Sequence, residues 1–362
     1  MRILFVISSL GVGGAERVAS TLVNAWAKEE NDVGLMTLAG EDAGYYRIDS
    51  RVQRIELNLL WPSSNPVHGL LSNIRRIRLL RSRITNFNPE VIVSFIDATN
   101  ILVLIAAARL KIPTIVSERV DPRVHRISNL RSLMRRIVYP HASALVVQTR
   151  AVTAWAQGWM PESKTWVIPN PVPEVPSLDD GKRERIILAA GRLVRQKGFD
   201  LLLRSFAKSE ARSKGWRLVI LGEGPERDSL QLLADELNLN QSLEMQGISS
   251  EPWTWMRRAE IFTLPSRYEG FPNVLLEAMA MGCACIATDC PSGPAELIDH
   301  DINGLLIGSD DVAALTGALD QMIACPIKRE RLGLSAQQVR TTYGLPVVMG
   351  EWQYLLRAVS EK

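Results

Sequence analysis

Residues 265–287 read PSRYEGFPNVLLEAMAMGCACIA, which is a loop, a helical segment and an apolar strand in succession. From Val274 to Ala287 every residue is apolar or glycine except Glu277. A short, continuous apolar strand beside a helix is typical of a parallel sheet that is covered on both faces. A carboxylate in such a buried segment is costly without a partner. Glu277 is therefore expected to pair with a basic residue or with a ligand.

The same alternation of apolar strands and helices is predicted along most of the chain. In the first half we predict helices near 15–28, 67–87, 98–110 and 128–139, and strands at 3–7, 33–38, 91–95, 114–117 and 144–147. The stretch IPNPVPEVPSLDDGKRE at 168–184 has four prolines and no helical period, so it predicts a linker. The pattern then restarts, with helices from 199 and near 225–237, 253–258, 274–281 and 311–323, and strands at 185–190, 216–221, 242–245, 260–264 and 284–287. The sequence thus predicts two doubly wound α/β units, 1–170 and 171–345, with ligands bound outside the carboxyl ends of the strands.

The composition describes a globular protein whose first half is basic. The chain has 362 residues, of which 46% are hydrophobic and 22% are charged, enough for two domains. Residues 1–170 hold 21 Lys and Arg against 13 Asp and Glu, a net charge of +8, whereas residues 171–362 carry −5. A basic half suits an anionic ligand or a membrane surface. We expect no nucleic-acid partner.

The sequence predicts a cytoplasmic protein. No segment reaches the roughly 18 apolar residues of a membrane-spanning helix. The apolar run Ile3–Ile7 leads into a glycine-rich loop, which favours a buried first strand over a signal peptide. Free thiols in a reducing cytosol are expected because no CxxC pair occurs among Cys283, Cys285, Cys290 and Cys325.

The first candidate site is SSLGVGGAER, residues 8–17, which follows the first strand and opens a helix. Gly11, Gly13 and Gly14 would let a ligand approach the backbone N–H groups at a helix N-terminus. Glu16 stands where a dinucleotide fingerprint would place Gly or Ala, which argues against an NAD-dependent enzyme. A tight strand–helix turn without a ligand is the alternative.

Two further loops follow predicted strands of the second unit. In AGRLVRQKGFD, residues 190–200, the side chains of Arg192 and Lys197 lie between two glycines and suit a diphosphate. The alternative is a solvated basic turn. LGEGPER, residues 221–227, would form a wall for a base or a sugar, or is a structural turn only.

The opening stretch holds two carboxylates that are eight residues apart. The sequence predicts a helix start at Asn273, with its side chain as the N-cap. Glu269 then lies in the loop before the helix and Glu277 lies one turn inside it. The loop 269–271 and the first helical N–H groups face the same point, where an anion is favoured. If Glu277 pairs instead with Arg192 or Lys197, all three still lie at the same cleft.

Together these motifs resemble those of the retaining glycosyltransferases of family four. YEGFPNVLLEAMAMG resembles their Glu-x7-Glu motif. The resemblance extends over nearly the whole chain, through GVGGAER, SER (117–119), IPN (168–170), GRLVRQKGFD, LGEGPER, SGPAELI (292–298) and NGLL (303–306). It implies the two-domain GT-B fold, with a C-terminal helix in 346–362 packed back on the N-terminal domain. Within the family, the chain most resembles enzymes that extend lipid-linked oligosaccharides or bacterial surface polysaccharides.

The resemblance also implies a role for each matched residue. Arg192 and Lys197 would hold the donor diphosphate and neutralise charge on the departing nucleotide, and Glu269 would contact hydroxyl groups of the donor sugar. These three are the expected catalytic residues. Glu277 would bind the ribose hydroxyls. Further donor contacts are implied for Gly13, Gly14, Gly270, Phe271 and Asn273.

On the acceptor side, Glu118 would orient the acceptor. Some relatives carry a His where this chain has Arg119, so the role of that His is not carried over and Arg119 would bind an acceptor phosphate instead. The implied donor is a UDP-sugar such as UDP-GalNAc, UDP-Gal, UDP-GlcNAc or UDP-Glc. The implied acceptor is a glycan linked to polyprenyl diphosphate, and retention of configuration is expected. A non-catalytic assembly subunit that binds a sugar-nucleotide is the alternative.

We expect no cofactor and no metal. Asp299-His300-Asp301 resembles a metal-binding Asp-x-Asp pattern but is interpreted as a polar turn. LLSNIRRIRLLRSRI, residues 70–84, and RSLMRRIVY, residues 131–139, combine arginines with apolar residues at helical spacing. Such helices either lie on anionic lipid, here on the inner face of the plasma membrane, or are ordinary surface helices.

Overall fold

A computed structural model describes residues 1–11, 13–40, 45–59, 66–125, 127–175 and 181–361, without the side chains of 66–71. The chain folds into two compact units. Unit 1 contains residues up to Pro171 together with those from Pro346 onward, and unit 2 is Val172–Leu345. Residues 176–180 of the predicted linker lie outside the described residues.

Unit 1 is built on a seven-stranded sheet in which every neighbouring pair of strands is parallel. The strands are β1 (Arg2–Ile7), β2 (Asp32–Thr37), β3 (Gln53–Glu56), β4 (Val91–Phe95), β5 (Thr114–Ser117), β6 (Ala144–Val147) and β7 (Thr165–Val167). Their order across the sheet is β3-β2-β1-β4-β5-β6-β7. The helices are α1 (Gly14–Lys28), α2 (Pro66–Phe87), α3 (Asp97–Ala107), α4 (Asn129–Val138) and α5 (Arg150–Ala156), with single 3₁₀ turns at Tyr139–His141 and Glu162–Lys164.

Unit 2 is built on a six-stranded parallel sheet of order β10-β9-β8-β11-β12-β13. The strands are β8 (Glu184–Ala190), β9 (Arg217–Leu221), β10 (Leu243–Gly247), β11 (Ala259–Leu264), β12 (Ala284–Asp289) and β13 (Leu305–Gly308). The helices are α6 (Phe199–Lys208), α7 (Arg227–Glu236), α8 (Pro252–Arg258), α9 (Asn273–Ala280), α10 (Pro294–Leu297), α11 (Val312–Ala324), α12 (Pro326–Ala336) and α13 (Val339–Thr342). A 3₁₀ turn, Arg195–Lys197, precedes α6.

Both faces of the second sheet are covered, as the continuous apolar strands predict. Along β8, Ile187 and Ala189 belong to the apolar core on one face, whereas Ile186 and Leu188 belong to the core on the other. The prediction of two doubly wound α/β units is therefore confirmed.

The strands that the sequence analysis missed are β3, β7 and β13, and all three lie at sheet edges. An edge strand has one neighbour and is only partly covered, so it does not need a continuous apolar run. The strand β3 reads QRIE, and every residue of it is at least partly exposed.

The last helix, α14 (Leu345–Ser360), packs on unit 1. Trp352 is fully buried, and its ring centroid lies 6.0 Å from that of Trp26 on α1 and 6.2 Å from that of Phe95 on β4. The chain therefore returns to its first unit after completing the second.

Each sheet has one point where the strand order reverses. In unit 1 it lies between β1 and β4, and in unit 2 between β8 and β11. Loops diverge from the carboxyl ends of such strand pairs, and the crevice between them is where open α/β sheets bind ligands.

Candidate functional site

The two loops at the reversal point of unit 2 are joined to each other. One loop, 191–198, follows β8, and the other, 265–272, follows β11. The backbone N–H of Arg267 donates to the carbonyl of Gln196 at 2.8 Å, and Nε2 of Gln196 donates to the carbonyl of Tyr268 at 2.8 Å. The crevice is therefore lined by a fixed pair of loops.

Gly198 is required where these loops meet. Its φ of +65° lies in the left-handed region, and an added Cβ would stand 2.1 Å from the carbonyl oxygen of Pro265. A side chain would strain the backbone and also push the two loops apart. The glycine that the sequence analysis placed beside the cations thus has a structural role.

Lys197 and Glu269 form an ion pair across the two loops. The Lys197 Nζ atom lies 2.6 Å from Oε1 of Glu269, and the hydroxyl of Ser266 donates to the same oxygen at 2.6 Å. Glu269 is only 5% exposed. A buried carboxylate that is held by a cation and a hydroxyl has a fixed orientation, which is what recognition of a ligand requires.

The backbone around Glu269 is held from the neighbouring strand β12. The hydroxyl of Ser292 donates to the carbonyl of Glu269 at 2.6 Å, and the hydroxyl of Thr288 donates to the carbonyl of Ser266. The sequence analysis named neither residue in the site. Thr288 lies in β12, directly after the predicted strand 284–287, and Ser292 opens the SGPAELI motif, so neither gave a signal for this contact, and the position of β12 beside β11 brings them here.

Arg267 ties the second loop to two acidic residues. It lies 2.8 Å from Oδ2 of Asp200 on α6 and 2.7 Å from Oδ1 of Asp310. The hydrogen bond with Asp200 raises the pKa of Arg267 above its ordinary value. Because this guanidinium is engaged by two carboxylates, it serves to brace the loop.

Arg192, in contrast, is exposed. Among the described residues, nothing accepts a hydrogen bond from its guanidinium or forms an ion pair with it. It lies in the same loop as Lys197 and is therefore available to an anion at this crevice.

The helix that carries Glu277 begins one residue earlier than predicted. Asn273 is the first residue of α9 and not its N-cap, because Pro272 occupies the cap position and its carbonyl accepts from the N–H of Leu276 at 3.1 Å. Glu277, the fifth residue of this helix, is buried. Phe271 turns its ring into the core, 5.9 Å from Tyr343, so only its backbone can face a ligand.

The glycines of LGEGPER pack against the cationic loop. An added Cβ on Gly222 would stand 1.9 Å from the carbonyl oxygen of Gly191, and one on Gly224 would stand 2.4 Å from that of Leu193. The N–H of Leu193 also donates to the carbonyl of Glu223 at 2.9 Å. Of the two interpretations left open, the structure supports the structural turn for these glycines.

In unit 1, the glycine loop lies at the carboxyl end of β1, and Gly14 is the first residue of α1. The Glu16 carboxylate fills the space beside Gly13, because a Cβ on Gly13 would stand 2.2 Å from its Oε2. A carboxylate from the chain itself thus lies at the helix N-terminus, where an anionic ligand would be favoured.

Glu118 and Arg119, the predicted acceptor residues, are both buried in unit 1. The hydroxyl of Tyr139 donates to Oε1 of Glu118 at 2.7 Å, and burial raises the pKa of Glu118 to about 7. The guanidinium of Arg119 donates to Asn170 and lies 4.2 Å from the ring centroid of Phe95. Burial lowers its pKa to about 9. Both side chains are thus engaged inside unit 1.

One strained residue at the reversal point of unit 1 was not predicted. Ile96, directly after β4, has a φ of +75°, which is costly for a β-branched residue. Its N–H donates to the carbonyl of Ser117 at 3.1 Å, and its carbonyl accepts from the N–H of Asn100 at 2.9 Å. Sequence alone gives no signal for a positive φ at an isoleucine.

Within the described residues, no group of three His, Cys, Asp or Glu side chains lies close enough to hold a metal ion. Asp301 of the Asp-x-Asp pattern lies in a turn, 2.7 Å from Nζ of Lys328 and 3.0 Å from Nη2 of Arg331. Cys290, close to the site, is buried, and burial raises the pKa of its thiol to about 12.

Comparison with known proteins gives matches over nearly the whole chain. The family model for glycosyl transferases group 1 matches residues 175–339, and that for glycosyltransferase family 4 matches residues 12–174. The chain is 27% identical to a Campylobacter jejuni GalNAc-α-(1→4)-GalNAc-α-(1→3)-diNAcBac-PP-undecaprenol α-1,4-N-acetyl-D-galactosaminyltransferase, over 99% of both chains. It is 28% identical to an amylovoran biosynthesis glycosyltransferase of Erwinia amylovora, over 95% of this chain and 96% of that protein.

Solved structures show the same fold. Sucrose-phosphate synthase from Thermosynechococcus elongatus superposes with a TM-score of 0.84 at 19% identity, covering 99% of both chains. The Anabaena HepE protein in complex with UDP superposes with a TM-score of 0.79 at 18% identity, covering 99% of this chain and all of that one. The fold is the two-domain GT-B fold.

Proposed function

Because the chain belongs to the glycosyltransferases that these two family models describe, we propose that it transfers a sugar from a nucleotide-sugar to a lipid-linked glycan in bacterial polysaccharide or glycan synthesis. We also propose that the protein is located in the cytoplasm. Its support is the pair of relatives, one of which acts on an undecaprenol-linked glycan and the other in amylovoran synthesis, as their names state.

A single observation carries the proposed chemistry. Lys197 is held 2.6 Å from Glu269 at the reversal point of the second sheet, in the loop that also carries the exposed Arg192. Cleavage of a sugar–phosphate bond leaves a nucleotide diphosphate anion and an electron-poor sugar. We propose that the two cations neutralise the diphosphate as it leaves, which is preorganised electrostatic catalysis.

The carboxylates have complementary proposed roles. Glu269, oriented by Lys197 and Ser266, accepts hydrogen bonds from the hydroxyls of the donor sugar. Glu277, buried on α9, binds the ribose hydroxyls. Gly13, Gly14 and the backbone of Gly270, Phe271 and Asn273 supply the remaining proposed donor contacts.

The proposed nucleotide is UDP, and the sugar is one of GalNAc, Gal, GlcNAc and Glc. The Campylobacter relative is named as an N-acetylgalactosaminyltransferase, and the Anabaena structure holds UDP. We further propose that the anomeric configuration is retained and that no metal is required. Glu118 and Arg119, each held by its own buried partners in unit 1, are the proposed acceptor-side residues.

The test is nucleotide release from a panel of UDP-, GDP- and ADP-sugars in the presence of a polyprenyl-diphosphate-linked acceptor. Wild type is compared with Lys197→Ala and Glu277→Ala, and Lys208→Ala on the exposed end of α6 is the matched control. We expect release from one donor that is lost in both variants and kept in the control. Thermal stabilisation by a nucleotide without turnover of any donor would instead favour a binding subunit.

Two further measurements test the finer proposals. The coupling constant of the anomeric proton in the product reports whether the donor's configuration is retained. Activity after dialysis against EDTA, with and without added Mg²⁺ or Mn²⁺, tests the proposed metal independence. A product of inverted configuration, or activity that needs added metal, would contradict the respective proposal.

A further inference from the structure

The helix α4 in unit 1 exposes an apolar stripe to solvent. Leu130, Leu133 and Ile137 are 71%, 55% and 53% exposed, respectively. Their spacing of three and four residues places them on one face of the helix. Exposed apolar side chains are common singly, but three in line on a ten-residue helix form a contact surface.

The opposite face of α4 is anchored in the protein by its arginines. The buried guanidinium of Arg135 lies 3.5 Å from Oε1 of Glu118 and 4.3 Å from the ring centroid of Trp155. Arg131 lies 3.6 Å from Oδ2 of Asp97. These contacts fix the rotation of the helix, so the apolar stripe faces outward as a consequence of specific polar bonds on the inner face.

The apolar stripe is flanked by positive charge. Arg136 is exposed and has no polar partner within the part of the chain that the structure describes, and the side chain of Arg131 is 46% exposed. Of the described arginines between 119 and 136, Arg119 and Arg135 are buried and Arg123 pairs with Asp121, so the exposed charge beside the stripe comes from Arg131 and Arg136. An apolar face bordered by arginines is complementary to an anionic bilayer, because the acyl region takes the leucines and the headgroups take the guanidinium groups.

In the other basic segment, α2, several side chains pack or form hydrogen bonds inside unit 1. Leu80 and Ile84 are fully buried in the core. Arg81 donates to the carbonyl of Ala106 at 2.9 Å, and Arg76 donates to that of Leu59 at 2.9 Å. The described part of α2 thus packs on the core through Leu80 and Ile84, while Arg75, Arg78 and Arg83 are exposed.

We propose that α4 docks the protein on anionic membranes by inserting Leu130, Leu133 and Ile137 at the level of the lipid headgroups. The docking surface rests on the contacts of α4, whereas its purpose, access to a lipid-linked acceptor, rests on the proposed function. Through Arg131 and Arg135 the helix is bonded to Asp97, two residues after β4, and to Glu118, directly after β5. Docking therefore brings the carboxyl ends of these two strands close to the bilayer. Within the described residues, no helix is long and apolar enough to cross a membrane, so the attachment in question is to the surface.

The first test is sedimentation of the full-length protein with vesicles of phosphatidylethanolamine and phosphatidylglycerol, with pure phosphatidylcholine vesicles for comparison. We expect Leu133→Asp to lower the partition coefficient about tenfold or more, from the lost burial of one leucine and the added charge. Leu232→Asp on α7, where the native leucine is 64% exposed, is the matched control and should bind as wild type does. Arg136→Gln should weaken binding at low salt, and Arg212→Gln, an exposed arginine of unit 2, should not.

A second test reports insertion directly. Cys325 is the exposed cysteine among the four, and the other three are buried. In a Cys325→Ser background, an environment-sensitive fluorophore at Leu133→Cys should shift to the blue on anionic vesicles, and one at Leu232→Cys should not.

The inference is overturned if Leu133→Asp binds vesicles as wild type does. The same holds if the emission of the fluorophore at position 133 does not shift to the blue on anionic vesicles. It is also overturned if the stripe proves to join two copies of the chain, seen as a wild-type dimer in sedimentation that Leu133→Asp converts to a monomer. Nucleotide release from the donor without vesicles, measured on the same variants, should be unchanged. A failure of docking is thereby distinguished from a failure of the proposed transferase activity.

Discussion

Replacing Lys197 with Met removes the cation of the ion pair while keeping an unbranched side chain of similar length. The carboxylate of Glu269, 5% exposed, then keeps the hydroxyl of Ser266 but loses its cationic partner. Breaking a fully buried ion pair costs roughly 3–5 kcal/mol. Because the side chain of Lys197 is 18% exposed, water can replace part of the interaction, and we expect a loss of about 2 kcal/mol in the stability of unit 2.

A double-mutant cycle separates the pair from its surroundings. Lys197→Met, Glu269→Gln and the double variant are compared with wild type by thermal unfolding. For a domain of the size of unit 2, a loss of about 2 kcal/mol lowers Tm by about 4–8 °C. The double variant leaves no unpaired charge, so its Tm should lie above that of Lys197→Met. Lys208→Met, an exposed lysine on α6, is the control and should change Tm by no more than about 1 °C.

The result that would refute this reasoning is a coupling energy below about 0.5 kcal/mol, which is the range of solvent-exposed ion pairs. Lys197 and Glu269 would then be close without being energetically coupled. The same Lys197→Met protein should bind the donor nucleotide at least about tenfold more weakly, since a charge-assisted contact to phosphate contributes about 1.5–3 kcal/mol. Unchanged nucleotide affinity would remove Lys197 from the proposed donor site.

Three further predictions concern stability. Gly198→Ala should lower the Tm of unit 2 by several degrees, since its Cβ would stand 2.1 Å from the carbonyl oxygen of Pro265, whereas Gly215→Ala, also at positive φ but with nothing within 4 Å, is the less disruptive control. Because burial raises the pKa of Glu118 to about 7 in the folded state, the folded protein binds more protons than the unfolded chain at intermediate pH. Stability should therefore fall by about 3 kcal/mol as the pH rises from about 4.5 to 7, and Glu118→Gln should flatten this dependence in urea titrations; an equal slope in both proteins would contradict it. Trp352→Ala should destabilise unit 1 by about 3–5 kcal/mol, measured by hydrogen exchange of β1 amides, and normal protection there would show that α14 is dispensable.

Much of the fold could be predicted because each internal strand of a parallel sheet must be apolar along its whole length. The strands at 91–95, 114–117 and 144–147 have the predicted bounds. The edge strand β3, which reads QRIE, could not be predicted, because its one neighbour stabilises it without a run of apolar residues. The predicted start of α9 was wrong by one residue, because Pro272 occupies the cap position that was expected for Asn273.

The sequence by itself determined which residues could meet at the crevice of unit 2. Cations in a glycine-bounded loop after one strand and carboxylates after another must lie at one edge of the sheet if both strands are parallel and adjacent. The sequence could not determine how these residues pair, since Arg192 and Lys197 are both cations in the same loop. Only the tertiary structure directs Lys197 to Glu269 and leaves Arg192 exposed, because the pairing depends on the distance between two loops that are about seventy residues apart in the chain.

The same distinction holds for the two basic helices of unit 1. Arginines and leucines alternate in both α2 and α4, so their compositions indicate the same amphipathic character. The structure buries Leu80 and Ile84 of α2 and exposes Leu130 and Leu133 of α4, because Arg135 is held by Glu118 on the inner face of α4. Which face of a helix meets solvent is decided by the partners that the rest of the fold supplies, and those partners come from strands distant in sequence.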